Sequence, residues 1–407
     1  MAAKMLAQGF EVTVLEQGTA FKPLALPLNQ LARFRKTGLY FNERMIQLLL
    51  PAMRIDKNRE MVMVYGRGLG GTTTLATGNA VRADEGLKKI GINLDAEFDE
   101  LYRELPITTD HQRYWTPITK RTFQAMQDLG MDPMPMPKLL RPDACRLCGH
   151  CSIGCPTRAK WDTRELLQGL NVMTGCRVTH IDIGDSQARC VHVTKGLRHL
   201  TLQADVIIVA AGGYGTPDIL RSSGLSCQPT LFVDPVLCVA APMEKARQDR
   251  QLLMPFVSHR EKYIISPYMD WLSFFFNKDW RKPMDGMVSL MIKLADVEQG
   301  DVHHNKMMKQ LTPLDHQRLA QGVADCREIL LRLGADPKDI VMGTLNAGHP
   351  GGMLPLTENE ALTLHAPQLP DNLYVADATL LPQALGLPPM LTIMALAKRI
   401  ASIILGK

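Results

Sequence analysis

Apolar positions along this chain alternate between helical and strand spacing, and the changes of spacing mark its elements. Ala2 to Gln8 suit a short helix with Gly9 as its C-cap, and Phe10 to Leu15 form an apolar, β-branched run that ends on Glu16. Residues 61–83 predict a short strand that enters a glycine-rich turn carrying three threonines. Helical spacing returns over 95–104 and 117–130, and Pro133, Pro135 and Pro137 then impose an extended arm. Asp162 or Thr163 can cap a helix through Leu170. Arg177–Ile183, Ala188–Thr194 and Arg198–Leu202 alternate as three strands of a β-meander. The run from Asp205 reads as a buried parallel strand that ends in glycines, with a helix starting near Thr216 and Pro217. From about 226 to 345 the periodicity weakens, apart from a long helix near 313–333 ended by Gly334, in which Cys326 reads as core packing. LYVADATLLP predicts a strand reaching Asp377, and a helix follows from Pro389.

Helix, glycine, strand, acid is the second half of a dinucleotide-binding unit, in which the acid takes ribose hydroxyls. The strand and G-x-G-x-x-G turn that should precede it by about 20 residues do not lie within the chain. The expectation is a truncated start; the alternative is a degenerate unit that holds its nucleotide poorly.

Composition narrows the function class. The 407 residues are 46% apolar and 21% charged, as in a globular protein, and the net charge of +5 with no basic block gives no reason to expect nucleic acid as a partner. No apolar run reaches the about 18 residues of a transmembrane segment, because Lys398 and Arg399 interrupt the closest one. Of nine cysteines, four fall in CRLCGHCSIGCP, as Cys145, Cys148, Cys151 and Cys155. The spacing C-x₂-C-x₂-C-x₃-C-P is that of iron–sulfur ligands in bacterial ferredoxins. Zinc and a metal-free thiol loop are the competing readings, although zinc sites more often pair two knuckles across a longer gap. Such clustering suits a reducing compartment, hence a cytoplasmic location, with peripheral membrane contact left open. Cys176, Cys190, Cys227 and Cys238 read as small buried residues rather than remote ligands.

Four ordered segments carry a resemblance: GRGLGGTTTLATGNAVR (66–82), DVIIVAAGGYGTPDILRSSGL (205–225), GHPGG (348–352) and LYVADATLLPQALGLPPMLTIMALAKRIA (373–401). Together they resemble the glucose–methanol–choline (GMC) family of FAD-dependent oxidoreductases. The resemblance implies an α/β fold with a Rossmann-like FAD domain and a second, α+β substrate domain built on a mainly antiparallel sheet. The implied division is 1–85, 163–225 and 346–407 for FAD, 86–162 as a connecting segment with the cysteine loop, and 226–345 for substrate. It implies that Glu16 takes the adenosine ribose. Gly70, Gly71, Thr72 and Asn79 lie near the flavin, and Ala211 and Gly212 near the adenosine. Asp377 lies beside the ribityl–pyrophosphate part, and the helix at Pro389 and Met390 points at the flavin ring. His349 matches the catalytic base, which takes the hydroxyl proton of an alcohol while hydride leaves for flavin N5. The family's second polar residue is replaced here by Pro388, which can neither donate a hydrogen bond nor take a proton. The expected activity is oxidation of a small-molecule alcohol, with a dehydrogenase that feeds an electron-carrier protein preferred over an oxidase. A non-catalytic flavoprotein or electron-transfer subunit is the alternative.

Overall fold

The computed structural model describes residues 1–23, 47, 50–277, 280, 284–304 and 306–406. Distant segments meet in two short parallel ladders. Thr13–Glu16 pairs in register with Asn171–Thr174, and Ile207–Val209 with Leu373–Val375. Parallel neighbours cannot be joined by a tight turn, so each ladder brings together pieces far apart in sequence. Val209, Leu373 and Val375 bury their side chains with Leu6, Leu220, Leu391, Leu396 and Ile400 in one core. The final helix, Met390–Ile404, is apolar nearly all round because it is packed on several sides. Its two charges are neutralised by the helix Asp95–Glu104: Lys398 Nζ lies 2.8 Å from Glu100 and 2.9 Å from Glu104, and Arg399 donates to Glu97 at 2.9 Å.

The three-stranded meander forms as the alternation predicts, over Cys176–Gly184, Gln187–Lys195 and Arg198–Gln203. The helix Pro313–Arg332 also forms, with a capping box at Thr312 and Asp315, a left-handed Gly334 beyond its end and Cys326 buried.

Among the described residues, a second sheet runs in the order Met53–Lys57, Val62–Gly66, Asn346–Ala347, Val236–Pro242, Met287–Leu294, Tyr263–Pro267, Phe256–His259 and Met134–Pro135. Its pairings are antiparallel except where Asn346–Ala347 joins Val62–Gly66. This sheet explains the weak periodicity of 226–345. All eight residues of Met287–Leu294 are buried. Val288, Leu290, Ile292 and Leu294 pack with Leu319, Ile329 and Leu330 of the long helix, while Met287 and Met291 pack with Met254, Trp271 and Phe274 on the other face. A strand covered on both faces loses the polar alternation that would reveal it.

Three local expectations are corrected. The first helix spans Ala2–Leu6 and ends on a right-handed Ala7, and Gly9 does not adopt the left-handed conformation. Gly9 instead makes room for the last helix, since a Cβ there would lie 3.0 Å from Leu405. The segment after Asp162 is a 3-10 turn, Thr163–Leu167, not a longer helix. The helix after Ala211 starts at Gly212, not near Thr216, and carries Pro217 inside it.

Candidate active site

The strand Val62–Gly66 runs directly into the glycine-rich turn. Gly68, Gly70 and Gly71 there have φ of 140°, 89° and 52°, values that L side chains rarely adopt. The turn folds back on its strand: the Gly66 N–H donates to Thr72 Oγ1 at 3.1 Å, and Thr73 Oγ1 donates to the Gly70 carbonyl at 2.6 Å. No heavy atom lies within 4 Å of a Cβ position at Gly71, so its backbone faces open space. The loop after Glu16 abuts this turn, because a Cβ on Gly18 would sit 2.6 Å from Gly68 Cα. The Glu16 carboxylate accepts the Gly18 N–H at 2.6 Å.

A second bare stretch of backbone lies where Ile207–Val209 turns at Ala211 into the helix Gly212–Ser222. Gly212 has φ of 73° and also faces open space. Asp377 holds this turn. Its Oδ2 accepts the Gly212 N–H at 2.8 Å and the Thr216 hydroxyl, and its Oδ1 accepts the Thr379 N–H at 2.9 Å and the Thr379 hydroxyl. Both oxygens of this buried carboxylate are thus engaged by protein. Gly213 is pressed against the 348–352 loop, for a Cβ there would lie 2.3 Å from the Pro350 carbonyl oxygen. That contact ties the loop carrying His349 to the Gly212 turn.

His349 sits over a buried charge network. Its Nδ1 is buried and lies 3.6 Å from Asp234 Oδ2, while 28% of the side chain is exposed. With Nδ1 buried toward Asp234, Nε2 is the ring nitrogen left to meet a substrate. Asp234 Oδ2 also accepts from Lys293 Nζ at 2.6 Å, and its Oδ1 from the Gly386 N–H at 3.0 Å. Lys293 Nζ donates in turn to the Leu387 carbonyl at 2.9 Å, beside Pro388. Asp234 has φ of 50°, a conformation held by Asp296, which accepts the Asp234 N–H at 2.8 Å and lies 2.7 Å from Lys309. Burial and the Lys293 charge press the His349 pKa below its ordinary 6.5, with Asp234 opposing. Burial pushes Asp234 up, but Lys293 and His349 together outweigh it, so the carboxylate stays below its usual range. Burial moves Asp296 up to about 6. The imidazole is therefore neutral near pH 7, the state a base requires.

The sequence reading missed Asp234, Lys293, Asp296 and Lys309. The one legible signal was Lys293, a lone charge in the apolar run MVSLMIKL. Beside Pro388, the carboxylate of Asp234, just before the strand Val236–Pro242, reaches His349, and Lys293 of the neighbouring strand reaches the Leu387 carbonyl.

Asn79 is placed differently from a residue whose amide faces a ligand. Its Nδ2 lies 2.9 Å from Met254 Sδ and its Oδ1 accepts from Lys138, so the side chain is committed to protein. Burial lowers the Lys138 ammonium to about 7. The buried Lys160 Nζ donates to the carbonyls of Thr73, Thr74, Ala76 and Cys151, at 3.0, 2.8, 2.6 and 3.0 Å. Thr163 Oγ1 donates to the Gly70 carbonyl at 3.1 Å. The segment after the cysteines thereby grips the glycine-rich turn.

Cys145, Cys148, Cys151 and Cys155 line one pocket with Leu140, Lys160 and Leu252. Burial raises the Cys145 thiol to about 11 and raises Cys148. Burial also pushes Cys155 up, but donors from Lys160 and Thr157 outweigh it and lower it overall. Four thiolates around one zinc ion at 2.3 Å would stand about 3.8 Å apart. Among the described residues the one group of three or more ligand atoms within 4.8 Å lies elsewhere, so these sulfurs are not drawn to zinc spacing. Of the other cysteines singled out, Cys176 and Cys238 are buried, whereas Cys190 and Cys227 are half-exposed.

The last helix begins at Met390 with Pro389 as its N-cap, and no side chain caps it. Open glycine backbone at Gly71 and Gly212, and a helix N-terminus whose first N–H groups have no intrahelical partner, are what an extended anionic dinucleotide needs. The residues present fit FAD on these grounds.

Comparison with known proteins places the fold and the family. Over 349 residues the chain is 28% identical to an uncharacterized protein of Methanocaldococcus jannaschii, covering 84% of this chain and 87% of that protein. It is 23% identical over 363 residues to a long-chain-alcohol oxidase of Arabidopsis thaliana, covering 67% of this chain and 47% of the relative's length. It also matches an uncharacterized GMC-type oxidoreductase of Mycobacterium tuberculosis, of which it spans 38%. Among solved structures, pyridoxine 4-oxidase from Mesorbium loti superposes with a TM-score of 0.71 at 15% identity, covering 100% of this chain and 96% of that one. A formate oxidase variant from Aspergillus oryzae superposes with a TM-score of 0.70 at 12% identity and the same coverage. A sequence-family model for the GMC oxidoreductases matches residues 14–237, more than half of the chain, and with these segments converging as described, the chain belongs to the GMC oxidoreductase family.

Proposed function

We propose that this protein is an FAD-dependent oxidoreductase that oxidises the CH–OH group of a small alcohol, with His349 as the base. One observation carries the reading: the His349 side chain is partly exposed while its Nδ1 is buried toward the Asp234–Lys293 pair. FAD, when bound, supplies the hydride acceptor. The residues for it are Glu16 at the ribose, Gly70, Gly71 and Thr72 along the turn, Ala211 and Gly212 at the second turn, and Pro389 and Met390 at the final helix. Asp377 acts on FAD through the Gly212 turn it holds, and Asn79 through its backbone. His349 Nε2 takes the substrate's hydroxyl proton, and the Lys293 charge keeps the resting ring unprotonated so that it is free to do so. Asp234 then stabilises the imidazolium.

We further favour a dehydrogenase that passes electrons to a carrier protein. An iron–sulfur cluster held by Cys145, Cys148, Cys151 and Cys155 would supply one-electron transfer there. What supports this is Lys160, which binds the Cys151 carbonyl and three carbonyls of the glycine-rich turn region with one ammonium. The test is anaerobic preparation of the flavin-loaded protein, assay of FAD and iron, and exposure to a panel of primary and secondary alcohols. Bleaching of the flavin by an alcohol supports the oxidoreductase. Absence of iron sinks the cluster, and absence of bleaching across the panel sinks the alcohol reading.

A further inference from the structure

The meander carries a group of side chains that the flavin chemistry does not use. On its central hairpin His180 lies directly opposite His192, and Asp182 opposite Cys190. Residues two apart on a strand share a face, so H-x-D on one strand and C-x-H on the other place four donors as a square on one side of the sheet. We propose that His180, Asp182 and His192, with Cys190 at the edge, bind a divalent transition-metal ion of borderline character, typified by zinc.

The distances support it. One ligand atom from each of His180, Asp182 and His192 falls within a 4.8 Å group. His180 Nε2 is 3.5 Å from Asp182 Oδ1, and His192 Nε2 is 2.7 Å from Asp182 Oδ2. Cys190 Sγ lies 3.3 Å from the same Oδ2 and 3.6 Å from His192 Nε2. Ligand bonds of 2.0–2.3 Å in a tetrahedron put donor atoms about 3.3–3.8 Å apart. The two Cys190 separations already fall in that range, His180 reaches it through the other Asp182 oxygen, and the His192–Asp182 hydrogen bond opens by about 0.6 Å to meet its lower end.

The imidazoles are stacked face to face, with centroids 4.2 Å apart and planes at 4°, and both Nε2 atoms lie beside the Asp182 carboxylate; each Nε2 lone pair lies in its ring plane, so binding one ion tilts the two rings toward each other. The other nitrogen of each ring is oriented by a hydroxyl: His180 Nδ1 is 3.1 Å from Thr179 Oγ1, and His192 Nδ1 is 3.4 Å from Thr201 Oγ1. Such outer contacts fix the rotation of metal-binding histidines. Imidazole and thiol donors select zinc-like ions, whereas magnesium and calcium require a shell of oxygen. The three tight donors are 29–50% exposed, so an ion reaches them from solvent.

The experiment measures bound zinc per chain by elemental analysis. Flavin-loaded protein is stripped with chelator and dialysed against buffered zinc, comparing wild type with His180→Ala/His192→Ala, Asp182→Asn and Cys190→Ser. The cysteine run at 145–155 is intact in every sample, so the difference isolates this site. The double variant is expected to lose about one equivalent, Asp182→Asn to bind at least about tenfold more weakly, and Cys190→Ser to retain the ion with lower affinity. FAD content and circular dichroism report folding, and His192→Asn replaces the double variant if that one does not fold. Equal zinc content and affinity in wild type and the histidine variants overturns the proposal. So does magnesium or calcium at the same site with equal affinity.

Discussion

Replacing Lys293 with Met tests the link between the buried charges and the base. Lys293 Nζ and His349 Nδ1 contact the same Asp234 oxygen at 2.6 and 3.6 Å, so they are at most about 6.2 Å apart. Two unit positive charges at that separation repel by about 2.7 kcal/mol at an effective dielectric of 20 and by about 0.7 kcal/mol in water. At 1.36 kcal/mol per pH unit, removing the cation raises the pH at which the ring protonates by about 0.5 to 2 units. The sign is fixed. As the proposed base His349 acts when neutral, and its pKa lies below 6.5 in the native network, so the acid limb of activity is expected below pH 6.5. In Lys293→Met that limb moves upward, because the opposing cation is gone while Asp234 still attracts the imidazolium. Breaking a buried pair costs about 3–5 kcal/mol, so Asp234→Asn/Lys293→Met serves as the companion, and its limb should return toward that of wild type. The readout is the histidine ¹³C signal of flavin-loaded protein against pH, assigned by its loss in His349→Gln. A titration in Lys293→Met that coincides with wild type refutes the coupling.

Two further changes probe the cradle. Gly212→Val places a branched side chain on a residue at φ of 73° beside open space; the left-handed conformation alone costs about 1–3 kcal/mol, and flavin absorbance per chain should fall sharply while the fold persists. Lys160→Met leaves up to four carbonyls without their donor; at about 1–3 kcal/mol for each one left buried and unpaired, a loss of about 3 kcal/mol or more is expected in denaturant unfolding, together with weaker flavin retention. Wild-type stability in Lys160→Met would show that the cysteine segment does not hold the glycine-rich turn.

Much of the part built on the two parallel ladders and the meander was legible because its signals are local. The final helix announces itself by apolar spacing after two prolines, the meander by strict alternation, and the Gly-rich turn by residues that must adopt positive φ. The large second sheet was not legible, because Met287–Leu294 is buried on both faces and shows no period. The charge network was hidden for a different reason. Asp234 and Lys293 meet across 59 positions through a side-chain ion pair beside the Val236–Lys293 strand pairing, and neither carries a local motif. His349 was found from its GHPGG setting, but its partners came only from the sheet that places them. Likewise His180 and Asp182 become a group with Cys190 and His192 only once the hairpin register is known.

The central claim, that His349 accepts the substrate proton, is tested most directly by mixing flavin-loaded wild type and His349→Ala with an alcohol that bleaches wild type, without oxygen, at pH 7.5. The account predicts that His349→Ala keeps its FAD and is reduced about 10²–10⁴-fold more slowly. Reduction of His349→Ala at the wild-type rate would contradict it.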